Sequence, residues 1–270
     1  MQLPAGAPAR AIAIRGAVFS RMAALMLAFL IPAASGGGNG TARAEEFRSD
    51  QKVFFGYLPC EGGAFAREGG VRQLAWELVK RTSVEAEAFG TEVDPASDRL
   101  YLTPMLLWSC EGEVKSLTDE QVAGLRNFIL GGGFVWADDP SAGRSPAFRA
   151  SLERQLSRVL SGAGWRELSP EHVLFKTFFL VKRPTGRQGS SRYLGIMHER
   201  RLAVLYTGQD VLGAISRGLG GEWQFLCEPG GEVQREESFR LAINVVMYAL
   251  CLDYKNDRVH LPFILRRRKL

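Results

Sequence analysis

Three short stretches of the chain hold the residue types that could do chemistry. Cys60-Glu61-Gly62 and Cys110-Glu111-Gly112 are matching tripeptides, Asp138-Asp139-Pro140 sets two carboxylates side by side, and Glu171-His172 places an acid next to an imidazole. A cysteine that closes a strand and precedes a glycine suits a nucleophile on a tight elbow. Such a nucleophile also needs a histidine to take its proton and an acid to orient that histidine. Cys110 follows the apolar run 105–108, but the next helix signal comes only at Thr118 and no His-x-Glu pair lies downstream, so the set is incomplete. The alternative for Cys60 and Cys110 is a disulfide, which in an oxidising compartment would close a loop of about fifty residues and contribute roughly 2–4 kcal/mol. Spacing leaves pairing and free thiols equally open. Cys251 reads as a small packed apolar group in an apolar helix, and Cys227 falls in a loop with no evident partner.

Neighbouring residues on a strand face opposite sides, so Asp138 and Asp139 could share a hard divalent ion only if the chain leaves strand geometry at Asp138. Glu171 and His172 would then approach from another loop. The competing reading is an aspartate capping the turn into Pro140. His172, His198 and His260 show no ligand spacing, so neither a metal nor another cofactor is expected. Arg67, Arg144 and Arg240 could line an anion pocket or simply be solvated. The candidates for ligand binding are thus Tyr57, Cys60, Arg67, Cys110, Asp138, Asp139 and His172.

The elements that must position these groups centre on 118–140. Thr118 and Gln121 have capping-box spacing, Val122, Leu125, Phe128 and Ile129 share a helical face, Gly131 to Gly133 ends the helix, and 134–137 is apolar enough for a fully buried strand. Both aspartates then sit at the strand's carboxyl end, the edge where open α/β sheets bind ligands. Before this unit, 53–58 predicts a strand, and Val71, Leu74, Ala75, Leu78 and Val79 a helix with one apolar face. The stretch 82–98 predicts a short edge strand or loop, and 100–102 and 105–108 predict buried strand pieces. After the unit, Ser145-Pro146 opens a helix buried through Phe148, Leu152, Leu156, Val159 and Leu160. Segment 173–181 reads as a strand, 193–197 and 202–207 as a hairpin, and 208–232 as a long glycine-rich surface excursion. A deeply packed helix follows at 241–252, with Asn244 expected to hydrogen-bond a neighbouring loop, and the tail 253–270 leaves it. The alternation of strands and helices predicts a single α/β domain, Rossmann-like, with a mostly parallel twisted sheet and helices on both faces.

Residues 1–44 read as a cleavable signal peptide. Arg10, Arg15 and Arg21 precede or enter an apolar stretch at 22–34, and Ala42-Arg43-Ala44 offers a small-x-small site before Glu45. An uncleaved anchor at 17–34 is the rival. These 44 residues hold four arginines and no acid, so residues 45–270 carry 30 basic against 29 acidic residues, net +1. Four of the basic residues are Arg266, Arg267, Arg268 and Lys269 at the extreme end. The balance argues against a nucleic-acid face, and the leader reading places the domain in the periplasm or outside the cell.

The segments Phe54-Phe55-Gly56-Tyr57-Leu58-Pro59, Leu125-Arg126 leading into 131–139, and Glu171-His172-Val173-Leu174-Phe175 resemble a bacterial family, the domain-of-unknown-function family 4159. Arg240-Leu241, 244–250, Tyr254-Lys255 and His260-Leu261-Pro262-Phe263-Ile264-Leu265 extend the resemblance over nearly all of 45–270. It implies a fold similar to class I glutamine amidotransferases and no established activity.

The function expected from the sequence is a non-catalytic ligand- or protein-binding module, with a protein partner in the cell envelope. Membrane contact would come only through the leader or the basic tail. The alternative is a metal- or carboxylate-dependent hydrolase of an extracytoplasmic substrate that uses Asp138 or Asp139 with His172.

Overall fold

The computed structural model describes residues 52–188 and 192–267, with side chains described as far as Cys251. The leader 1–44 and the basic cluster 266–269 lie outside the described side chains.

Seven strands form one sheet in the order β2-β1-β3-β4-β7-β6-β5. The strands β1 (Gly56–Tyr57), β2 (Thr91–Glu92), β3 (Met105–Trp108), β4 (Phe134–Asp138) and β7 (Arg201–Thr207) run parallel. β6 (Tyr193–His198) is antiparallel to β7, and β5 (Trp165–Glu167) is antiparallel to β6. The expected α/β class with a mostly parallel sheet is therefore present. β3, β4 and β7 are buried on both faces, as their unbroken apolar runs require.

Alternation along these strands sends Leu107, Trp136 and Leu205 to one face and Leu106, Val135 and Val204 to the other. The first face is covered by α1 (Glu68–Arg81), the single turn α4 (Val211–Ala214) and α5 (Gly231–Arg267). The second is covered by α2 (Asp119–Leu130) and α3 (Ala147–Val159). α2 begins with the full capping box: Gln121 N–H donates to Thr118 Oγ1 at 3.2 Å, and Thr118 N–H donates to Gln121 Oε1 at 3.0 Å. It ends at Gly131, with Gly132 at φ 115° carrying the chain back to β4.

Several expected elements are different. Residues Asp98–Leu102 form a 3-10 turn that buries Leu100 and exposes Leu102, because three apolar residues wound this way cannot all face inward. Val79, expected on the apolar face, is half exposed, while Glu77 is buried beside Arg81. The aromatic run 173–181 is not a strand. It is a 3-10 turn, Val173–Lys176, followed by irregular chain held by Asn244 of α5. Asn244 accepts from Phe178 N (3.2 Å) and Phe179 N (2.7 Å) and donates to Leu174 O (3.0 Å) and Phe179 O (2.8 Å). The stretch 208–232 is a surface excursion only in its second half: Gln209 to Ser216 are buried and include α4, while most of 217–232 is exposed. The helix at 241–252 is part of α5, which starts at Gly231 and stays helical to Arg267 instead of turning away after Leu252.

Candidate functional site

The carboxyl ends of β1, β3, β4 and β7 bring together Tyr57, Ser109, Asp138 and Thr207. The loops leaving β1 and β3 are joined by a disulfide between Cys60 and Cys110, Cα–Cα 5.5 Å. Backbone bonds from Glu61 N to Glu113 O (3.0 Å) and from Lys115 N to Pro59 O (3.2 Å) lace the same two loops together. Cys110 is thus no free thiol here. Of the other two cysteines, Cys227 is buried and Cys251 is exposed, so the expectation that Cys251 packs inside α5 is corrected: it lies on the helix's outer side.

Asp138 is the last residue of β4 and keeps strand geometry, so its carboxylate and that of Asp139 face opposite sides of the sheet. Asp138, with no exposed surface, accepts from Val211 N (2.9 Å), Leu212 N (2.8 Å) and Thr207 Oγ1 (2.6 Å). Its role in the fold is to hold the first turn of α4. Burial and the nearby Asp210 push its pKa up to about 7 against the pull of those donors. Asp139 accepts from Tyr206 Oη (2.9 Å) on the other face and from Ser141 N (2.9 Å), the side-chain turn cap that the following Pro140 suggests.

The sequence reading missed the residue at the centre of this edge. Asp210 lies three residues past β7 in a left-handed conformation (φ 53°, ψ 64°), which aspartate tolerates better than most side chains. Its carboxylate is fully buried between two guanidinium groups. Arg67 Nε reaches Oδ1 at 2.8 Å and Arg67 Nη2 reaches Oδ2 at 3.0 Å, while Arg187 Nε reaches Oδ2 at 2.7 Å. Oδ1 also accepts from Gly213 N at 2.9 Å. Arg67, expected as a ligand contact, spends its remaining groups on Pro140 O (2.7 Å), Glu111 Oε1 (2.6 Å) and Ala66 O (3.2 Å). Burial alone would lower the Arg67 pKa; Asp210 and Glu111 more than offset it, so the pKa is raised. The ring of Phe225 lies 4.5 Å from the Arg67 guanidinium and 5.2 Å from that of Arg187. The N-terminus of α1 approaches this hub so closely that a Cβ on Gly70 would meet Leu212 O at 2.3 Å.

Two expected members of the edge are elsewhere or occupied. His172 is brought to the opposite, amino end of the parallel strands. Its ring is 5.9 Å from Tyr248, whose hydroxyl accepts from Leu202 N near the start of β7. His172 Nδ1 accepts from Leu174 N at 3.2 Å, and burial lowers its pKa. Its place at the far end removes it from any joint role with Asp138 or Asp139. Tyr57 stacks on Phe65 (3.9 Å between centroids), and its hydroxyl accepts from Gly90 N at 3.2 Å towards the β2 side. The three arginines considered for an anion pocket are dispersed: Arg144 bonds Ser141 O, and Arg240 pairs with Glu236 on α5. Among the described residues no three His, Cys, Asp or Glu side chains gather as metal ligands. Ser109 Oγ is buried without a hydrogen-bond partner, one residue past the point where Trp108 pairs with Ala137. The one clue to Asp210 in the sequence was an acid three residues beyond the expected strand 202–207, near the carboxyl edge that singled out Asp138.

The model of one family, described as a domain of unknown function (DUF4159), matches residues 55–250. No curated protein matches the chain.

Proposed function

We propose that this chain, which belongs to the DUF4159 family, is a non-catalytic binding module of the cell envelope. One observation supports this reading above others: Cys110, Asp138 and Arg67, the groups at the carboxyl edge expected to contact a ligand or start a reaction, are already committed. Cys110 is bonded to Cys60, Asp138 holds two backbone amides and a hydroxyl, and each nitrogen of Arg67 has an acceptor. A nucleophile or base needs a free lone pair facing a reacting atom. The same commitments make the edge a stiff platform, which suits recognition by shape. An oxidising, extracytoplasmic location fits the disulfide. Export through the leader and a protein partner in the envelope belong to the same proposal.

The test is incubation of the purified protein with chromogenic esters, phosphate esters and glycosides, expecting no turnover above the blank. Turnover that disappears in a folded Asp138→Asn variant overturns the proposal. Cell fractionation with sequencing of the mature N-terminus checks the location, with Glu45 as the expected first residue.

The hydrolase remains the second reading because burial and Asp210 push the Asp138 carboxyl up to about 7, and Ser109, at the end of the adjacent strand β3, has an unpaired hydroxyl. It would use Asp138 as base without His172.

A further inference from the structure

Where α5 packs on the domain it shows solvent one narrow side. Glu236, Arg240, Met247 and Cys251 follow one another there at helical spacing and are partly or wholly exposed, while Leu241, Ala242, Ile243, Val245 and Val246 are fully buried. Along one flank of that side runs the segment held by Asn244. Val173, Phe178 and Leu180 of this segment are 54%, 44% and 70% exposed, and Arg240 lies 5.8 Å from the Phe179 ring. The other flank is α1, tied to α5 through Arg81 and Glu236.

The helix does not stop with the domain. Ala249 is buried and Cys251 exposed, yet α5 continues to Arg267, about 24 Å of helix beyond Cys251. The sequence of this extension is apolar at Val259, Leu261, Phe263, Ile264 and Leu265, and basic from Arg266 to Lys269. The first two turns of α5 lean the other way, with Glu232, Glu236 and Glu237 against one buried arginine, Arg235.

These features complement one another when two copies of α5 lie antiparallel. A two-fold axis near Leu252 sets the partner's His260 opposite Asn244 and the partner's Arg267 opposite Glu237. The apolar stretch of each copy then crosses Val173, Phe178 and Leu180 of the other, and the basic run meets the acidic start of the facing helix. The three exposed side chains fall short of the roughly 800 Å² per partner that a stable interface buries, so the extension has to supply the larger share.

We infer that this chain pairs with a second copy of itself, each α5 extension lying across the Val173, Phe178 and Leu180 strip of the other. The inference goes beyond the binding-module reading and holds whether or not the domain turns over a substrate.

The experiment is light scattering on the purified protein after size exclusion, where a dimer is expected at micromolar concentration. Phe178→Asp with Leu180→Asp, both at exposed positions, should weaken the dimer at least about tenfold. Removing 253–270 should abolish it. If the double aspartate variant does not fold, Glu237→Arg serves instead, with part of its loss recovered when Arg267→Glu is added. A bis-maleimide of about 10 Å reach, the spacing of packed helices, should join two chains through Cys251 and fail with Cys251→Ser. A monomer, a dimer indifferent to the strip variant and to loss of 253–270, or a charge exchange without recovery would each overturn the inference. A monomer that binds anionic vesicles through 253–270 would overturn it in favour of a lipid surface.

Discussion

Arg67 and Asp210, 143 positions apart in sequence, meet as a two-point ion pair at 2.8 and 3.0 Å with both side chains almost wholly out of solvent. The pair ties the N-terminus of α1 to the turn after β7, and Arg187 adds a second cation to the same carboxylate. Removing one partner of such a pair leaves an uncompensated charge in a poorly solvated site. Asp210→Ala leaves two such charges and should cost about 3–5 kcal/mol. Arg67→Ala should cost less, since Arg187 still faces Asp210. Guanidinium unfolding of both variants and of the double variant checks this, with the double expected well short of the sum of the singles.

A pH dependence follows from Asp138. Its carboxyl is raised from 3.8 to about 7 by burial and by Asp210. Between those values the fold holds the proton while the unfolded chain has released it, so folding takes up a proton. Stability is therefore highest below the unfolded pKa, declines as pH rises through the window, and levels off above the folded pKa. The slope is at most about 1.4 kcal/mol per pH unit. Asp138→Asn should flatten this decline in urea midpoints measured from pH 4 to pH 8. An unchanged slope would assign it to other groups.

The disulfide closes a loop across the two carboxyl-edge loops, with the cysteines 50 positions apart. Cys60→Ser with Cys110→Ser should lower stability by about 2–4 kcal/mol, chiefly by freeing the unfolded chain. The wild-type midpoint in guanidinium should fall to that of the double variant when reductant is added. A wild type insensitive to reductant in which all four cysteines titrate as free thiols, Cys227 and Cys251 being free in either case, would show the bond does not form in solution.

How far the fold could be read from the sequence depended on whether the governing interaction was local. The capping box at Thr118, the buried run of β4 and the helical face of Val122, Leu125, Phe128 and Ile129 are decided within a turn or two of chain, and each is found where its pattern predicts. Segment 173–181 misled because its three phenylalanines suit a strand, while its conformation is set by four bonds from Asn244, more than sixty positions away. β5 has three residues, one half-buried and two exposed, too short and polar for a periodic signal. At the edge, Asp138 was visible as an acid ending an apolar strand. Asp210 was hidden among glycines, and its importance comes from Arg67 and Arg187, which no spacing rule connects to it.

Asn244 offers the strictest check on that last kind of control. It is fully buried within α5, and its side-chain oxygen and nitrogen each make two bonds to the 174–179 backbone. Asn244→Leu keeps the branching and number of heavy atoms, with bulkier methyl ends, but leaves Phe178 N, Phe179 N, Leu174 O and Phe179 O without their partner. Each buried backbone group so orphaned costs about 1–3 kcal/mol unless water reaches it. The segment should therefore open to solvent, with a net loss of about 2–4 kcal/mol because relaxation recovers part of the total. Amide hydrogen exchange should quicken at Phe178 and Phe179 while Leu125 to Ile129 in α2, packed on the far face of the sheet, keep their protection relative to global unfolding. Equal acceleration at both places would mean that Asn244 supports the whole domain and not this segment in particular.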